Sequence, residues 1–326
     1  IVAPDLDKFI YRDCDVSSMY PTLGCIYNFT PSHLPGMDKV LNKIRLKRLE
    51  YKKLGDKSNA ELFKLSMNGG FYGNLNSEYT FMYDPKMLLS ITINGQLFLL
   101  LLCEWFIEAR IKIDMVNTDG ITAIIPKELE QTYYKICKKW EDLTLMELEY
   151  DDFKKVIRGN INNYLAIKLK LNDKGENEVK EKGIWFLTNP DLGMSVDALI
   201  IAKALKLYFT KGISPEEVIS NPEKYGCSIF DYCYSNKISR EYTVWWNNKL
   251  QQNLNRYYVG NSKSPYLYKK KNGKTTLENV LKGYGVELYN NHEEKPFKEY
   301  NVNIQYYITE VRKILNELEP NQLQLF

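Results

Sequence analysis

Between residues 111 and 125 the side chains follow the two-residue rhythm of a β-hairpin. Ile111-Lys112-Ile113-Asp114-Met115-Val116 alternates, Asn117-Thr118-Asp119-Gly120 has turn composition, and Ile121 to Ile125 returns. A lone hairpin is marginal in water, so this one requires a larger sheet. Its tip places Asp119 where a carboxylate can project into a cleft. Residues 9–16 predict a second strand, ending at Asp15.

Composition sets wider bounds. The 326 residues are 44% hydrophobic and 26% charged, enough for a buried core and two or three subdomains. The net charge is only +3, so affinity for a polyanion would have to come from local clustering. Six cysteines stand at 14, 25, 103, 137, 227 and 233 without a CxxC, and His33 and His292 lie far apart. That pattern speaks against zinc and for reduced thiols in a cytoplasm. No signal peptide is predicted. The most apolar run, Leu97 to Cys103, is too short for a bilayer span and predicts a buried core helix, so no membrane partner is expected.

Helical periodicity covers 38–54, and Gly55-Asp56-Lys57 signals a turn into a second helix from about 59 to 68. Gly69-Gly70 predicts a tight exit. Pro85 opens a long apolar helix to about Arg110. A surface helix is expected at 127–141, strands at 145–150, 155–158, 163–170 and near 182–187, and helices at 196–210 and 215–224. A sheet with helices on one face is the expected arrangement.

Three segments carry chemistry, in this order: Asp15-Val16-Ser17-Ser18-Met19-Tyr20-Pro21, then Lys64-Leu65-Ser66-Met67-Asn68-Gly69-Gly70-Phe71-Tyr72-Gly73, then Val116-Asn117-Thr118-Asp119-Gly120-Ile121. Either aspartate alone is equally a strand terminator or a turn residue. Together the segments resemble motifs A, B and C of family B DNA polymerases of bacteriophage type. The resemblance spans nearly the whole chain. It implies an α+β right-hand polymerase with an antiparallel-sheet palm, short helical fingers and a mixed thumb. The palm would cover 1–32 and 75–190, the fingers 33–74 and the thumb 191–321. It also implies a DNA-directed DNA polymerase core that extends a primer from dNTPs during phage DNA replication, in the cytoplasm of an infected bacterial host.

Nucleotidyl transfer uses two Mg²⁺ ions about 3.5–4 Å apart, and Mg²⁺ takes only one or two carboxylates beside substrate phosphates. The resemblance makes Asp15 and Asp119 the catalytic, metal-holding carboxylates, with the Val16 carbonyl as a further ligand; Mn²⁺ is expected to substitute. It puts Tyr20 beneath the incoming sugar as a steric gate and Thr118 beside the substrate. Lys64 and Asn68 share a helical face at i, i+4, as do Arg48 and Lys52 on the preceding helix. Their charges would meet the triphosphate; a solvated basic face is the alternative.

Three departures stand out. Motif C usually reads DTDS, and Asn117 replaces its first carboxylate. Motif B usually has Tyr three residues after its Asn; here Phe71 stands there and Tyr72 follows, as if one residue were inserted. In place of the KxY motif that holds the primer terminus stands Asn162-Asn163-Tyr164, leaving Lys168 or Lys182 to supply the charge.

Residues 237–274 hold Lys237, Arg240, Lys249, Arg256, Lys263, Lys269, Lys270, Lys271 and Lys274 against one acid, Glu241. Such residues, Arg256 and Lys269–Lys271 among them, would grip primer–template DNA through its phosphates. The interleaved aromatics read as local core rather than stacking platforms. The tail, with Gln322, Leu323, Leu325 and Phe326, resembles the QLxLF peptide by which bacterial replication proteins bind a sliding clamp; a frayed end is the alternative. A 3′–5′ exonuclease region, which normally precedes motif A, is expected as a separate or cleaved partner. The competing functions are a non-catalytic or weakly active DNA-binding polymerase subunit and an RNA-synthesising palm enzyme. Tyr20 and the single motif C aspartate argue against the latter.

Overall fold

A computed structural model shows an α+β protein built on antiparallel sheets, and it describes residues 1–190, 194, 197–292 and 295–319. The chain packs as two units. One is Ala3–Lys154 with Lys168–Gly175; the other is Ile1–Val2, Lys155–Ile167 and the residues from Glu176 onward. The division therefore falls near 155.

The first unit grows from β1 (Phe9–Val16). It is followed by α1 (Met19–Ile26), α2 (Met37–Lys53), α3 (Lys57–Leu65), α4 (Pro85–Glu108), the hairpin β2 (Lys112–Val116) and β3 (Gly120–Pro126), α5 (Glu130–Thr144), and the start of β4 (Leu148–Asn160). The sheet order is β2-β3-β1-β4. Asp15 sits opposite Gly120 on one side and Glu149 on the other. Alternation sorts β1 by face. Cys14 and Val16 join Ile121, Ala123, Phe106, Tyr133 and Trp140 in the core beneath the helices, while Tyr11, Asp13 and Asp15 take the other face. Buried Arg12 fixes the register: its cross-strand partner Asp152 accepts from it at 2.6 and 2.8 Å, and Glu130 at 3.2 Å.

Local chemistry explains the helix starts. The Asp56 side chain accepts from Asn59 N–H at the head of α3, and Asp84 accepts from Met87 N–H at the head of α4, with Pro85 in the first turn. Five expectations are corrected. The Leu97 to Cys103 run is not a wholly buried core helix. Leu99, Leu102 and Cys103 are buried, but Leu97 and Leu100 are exposed with Leu89, Ile93 and Ile107 on the same helix. That helix has the length and composition of a membrane span, while its buried face packs in the core with Leu23 and Trp140. The strands expected at 145–150 and 155–158 are one strand, β4, because cross-strand pairing carries the polar residues between them. The exit at Gly69-Gly70 is not tight: Ser66–Phe71 forms a π-turn continuing α3. A 3₁₀ turn, Lys127–Leu129, precedes α5. The strand expected near 182–187 ends at Lys182 instead.

The second unit holds the remainder of β4, β5 (Asn163–Leu171), most of it here, and β6 (Asn177–Lys182). Then come α6 (Leu199–Lys211), α7 (Pro215–Ser220), β7 (Tyr234–Lys237), β8 (Tyr242–Trp246), β9 (Lys249–Gln251), β10 (Leu254–Val259), β11 (Leu267–Lys271), β12 (Leu277–Asn279), β13 (Val286–Leu288) and α8 (Ile304–Leu318). Two small sheets run β13-β10-β7 and β12-β11-β8-β9. The core gathers Leu205, Val218, Ile219, Tyr232, Val259, Tyr307 and Val311. The Tyr307 hydroxyl donates to the Tyr232 carbonyl at 2.7 Å and accepts from Val259 N–H at 2.9 Å, so its burial leaves no polar atom stranded.

Candidate active site

The end of β1 is pinned from both sides. Val16 N–H donates to the Asp119 carbonyl at 2.6 Å, and Ser17 N–H to the Glu147 carbonyl at 2.8 Å. At the hairpin tip the Asn117 side chain accepts from Asp119 N–H at 3.0 Å, while Asn117 N–H donates to the Gly120 carbonyl at 2.9 Å. This is an Asx turn, for which an amide oxygen serves as well as a carboxylate. Asn117 thus has a structural task that needs no negative charge. Gly120 leaves room for its neighbour: a Cβ there would lie 1.9 Å from Asp15 Oδ1.

Past Asp15 the chain turns sharply. Ser18 adopts φ 52° at the head of α1, a left-handed conformation that costs a non-glycine residue on the order of 1 kcal/mol or more. The turn puts Tyr20 in the first turn of α1. Its ring stacks on Tyr72, with centroids 4.4 Å apart and planes at 24°. Burial, then the neighbouring Tyr72 and the Asp119 charge, push the Tyr20 hydroxyl up to about 12. The ring is therefore neutral across ordinary pH.

The π-turn at Ser66–Phe71 leads into Tyr72. Tyr72 N–H donates back to the carbonyls of both Asn68 and Met67. A π-turn accommodates one residue more than an α-turn. Phe71 is buried in the core, and Tyr72 packs against Tyr20.

These segments enclose a cleft of about 190 Å³. Asp15, Val16, Tyr20, Arg48, Lys64, Asn68, Thr118 and Asp119, all singled out from the sequence, line it, as do Ser17, Ser18 and Glu149. The Ser18 hydroxyl is buried, with no hydrogen-bond partner among the described residues. Lys64 lies 3.0 Å from Glu61. Lys52, expected to meet substrate, instead ion-pairs with Glu149 and does not line the cleft. Phe71 and Tyr72 do not line it either.

Glu149 was not foreseen. It is a third carboxylate at the cleft, facing Asp15 across the strand pair. Burial pushes its carboxyl up, but hydrogen bonds from Lys52 and Ser17, with the Lys52 and Arg48 charges, outweigh this and hold it below 4.5.

The other expected DNA contacts fall outside the cleft. Tyr164 is buried in the second unit, with Lys182 Nζ 5.8 Å from its ring centroid. Lys168 is ion-paired with Asp151 at 2.8 Å, so Lys182 is the cation beside Tyr164. Arg256 lies over the Phe230 ring at 5.3 Å. Lys269 pairs with Glu278 at 3.4 Å and Lys271 with Glu241 at 3.7 Å. Gln322, Leu323, Leu325 and Phe326 lie outside the described residues.

The donor set suits a hard divalent cation. Two aspartates meet at one cleft, and Gly120 has no Cβ to displace the Asp15 carboxylate. Among the described residues no group of three or more His, Cys, Asp or Glu is gathered as a cage. A Mg²⁺ site completed by substrate phosphates needs none. Compared with known proteins, the chain matches no family model and no curated sequence.

Proposed function

We propose that the Asp15–Asp119 cleft is the nucleotidyl-transfer site of a DNA-directed DNA polymerase core of the family B kind. In this reading 1–32 and 75–190 form the palm, 33–74 the fingers and 191–321 the thumb. The observation that carries the proposal is convergence. Asp15, Arg48, Lys64 and Asp119 are far apart in sequence and line one cleft, with Tyr20 stacked on Tyr72 beside them.

Asp15, Asp119 and the Val16 carbonyl would hold two Mg²⁺ ions. Bound there, Mg²⁺ would favour ionisation of the primer 3′-hydroxyl and offset charge on the leaving pyrophosphate. Arg48 presents a fixed fork of donors and Lys64 a point charge, and together they orient the triphosphate. Release of Lys64 from Glu61 is a small cost, because exposed pairs contribute only about 0–1 kcal/mol. The Tyr20 ring, braced by Tyr72, lies beneath the sugar and excludes a 2′-hydroxyl. Lys182 beside Tyr164 supplies the cation of the primer-terminus motif, and the C-terminal tail offers a peptide to a sliding clamp.

The test is extension of a labelled primer–template by this chain with Mg²⁺ and dNTPs, with EDTA as control. Stepwise, template-directed extension that stops in EDTA supports the reading. Duplex binding without extension would point to a non-catalytic subunit, and equal use of ribonucleotides to an RNA-synthesising enzyme.

A further inference from the structure

The β12-β11-β8-β9 sheet has one face in the core and one open. Val244 and Leu267 are buried on the inner side. Trp245 and Tyr268 sit directly opposite each other in the β8–β11 register and, by alternation, point outward together. Tyr266 lies beside Tyr268, with ring centroids 6.0 Å apart and planes tilted by 48°. These rings line a cavity of about 390 Å³ with Lys270, Asn247 and Asn248. Trp245 is 36% and Tyr266 40% exposed, so the expectation that the aromatics here are local core fails for both.

The cavity is held in shape by elements that leave its rings open. Asn247 and Asn248 both have positive φ, 48° and 59°, the two-residue turn that joins tightly paired strands. The turn keeps both amides at the cavity edge. The Trp245 indole N–H donates to Thr243 Oγ1 at 3.2 Å, fixing the ring against the sheet. Among the described residues Lys270 has no carboxylate partner, whereas Lys269 and Lys271 are paired.

We infer that this cavity binds single-stranded DNA, with bases stacked on Trp245, Tyr266 and Tyr268 and a phosphate on Lys270. Charge complementarity selects the occupant. Lys270 is the cation at the cavity, and among the described residues no carboxylate pairs with it. An apolar protein face would have to desolvate that charge, and the centres of protein interfaces are depleted in lysine. A single strand offers what the surface lacks: flat apolar faces spaced along a chain of negative charge. The two amides can meet any base edge, so weak sequence preference is expected. The site goes beyond the polymerase reading and stands or falls without it.

The test is fluorescence anisotropy of the full chain with a labelled thymidylate dodecamer, its abasic counterpart and a blunt duplex. Trp245→Ala and Tyr268→Ala should each weaken binding to the thymidylate about tenfold, and Trp245→Phe far less. The abasic strand should bind the wild-type chain about tenfold more weakly, and Trp245→Ala should not change that further. Lys270→Gln should lower the salt slope by about 0.7. Tyr266→Ala, at an exposed ring, reads the same cavity should either other alanine variant unfold. The proposal is overturned if the alanine variants bind thymidylate like wild type, if abasic and thymidylate strands bind alike, or if Trp245→Ala weakens the duplex equally. It is overturned too if sedimentation shows that Trp245→Ala turns an oligomer into a monomer, which would make this face a contact between copies.

Discussion

Gly120 is where a single methyl group would do most harm. Its Cβ would need the space that Asp15 Oδ1 occupies, 1.9 Å away, with the Cys14 carbonyl at 3.1 Å. Gly120→Ala should therefore displace the Asp15 carboxylate. Misplacing a catalytic group by about 1 Å can cost roughly 100-fold in rate, and overpacking costs about 1–3 kcal/mol. Single-turnover extension and thermal unfolding would read both; wild-type rate in the variant would contradict the account. Glu149 supports a second, smaller prediction. Its carboxyl is lowered in the fold, so its contribution is present above about 4.5 and lost as pH falls through the lower folded value. Both partners are about half exposed, so the pair with Lys52 contributes no more than about 1 kcal/mol. Lys52→Met should be slightly less stable than wild type in urea at neutral pH, and the gap should close in acid. A constant gap would exclude the ion pair as its cause. Asp15, near the end of β1, and Asp119, in the turn between β2 and β3, could be singled out from the sequence only together, as members of three ordered segments. Glu149 was not, because nothing local to 145–150 says which residue will face Asp15 across the strand pair.

At the scale of elements, helices with periodicity or a cap were readable: α2 by its period, α3 behind Asp56, and α4 behind Asp84 and Pro85. The hairpin of β2 and β3 was readable for the same reason, a period bounded by turn residues. Elements whose evidence is tertiary were not. β4 continues through Asp151 and Asp152 because Asp13 and Arg12 on β1 pair with them, and Arg12 needs Asp152 for its charge. The α8 helix carries its own signal, an Asn303 cap and buried Tyr306, Tyr307, Ile308, Val311 and Leu318. The π-turn at Ser66–Phe71 could not be read from the sequence, which predicted a tight exit at Gly69-Gly70. The π-turn predicts that deleting Gly70 is tolerated, since the helix can then close with ordinary α-turns and keep Tyr72 on Tyr20. The variant should melt within a few degrees of wild type and retain primer extension. Loss of both would mean that the π-turn does more than absorb a residue.

On the proposed reading of the whole molecule, one cleft extends the primer and separate surfaces hold nucleic acid. If the tail binds a sliding clamp, deleting 322–326 should leave unaided synthesis intact and abolish its stimulation by clamp, because a tether raises local concentration without touching the chemistry. Equal loss of both activities would refute the tether. The most direct test of the central claim compares wild type with Asp15→Asn and Asp119→Asn in Mg²⁺-dependent primer extension, with duplex affinity measured on the same preparations. The account predicts that each substitution lowers extension by at least about 1,000-fold while affinity for primer–template stays within about threefold. Extension that survives in either variant would contradict it.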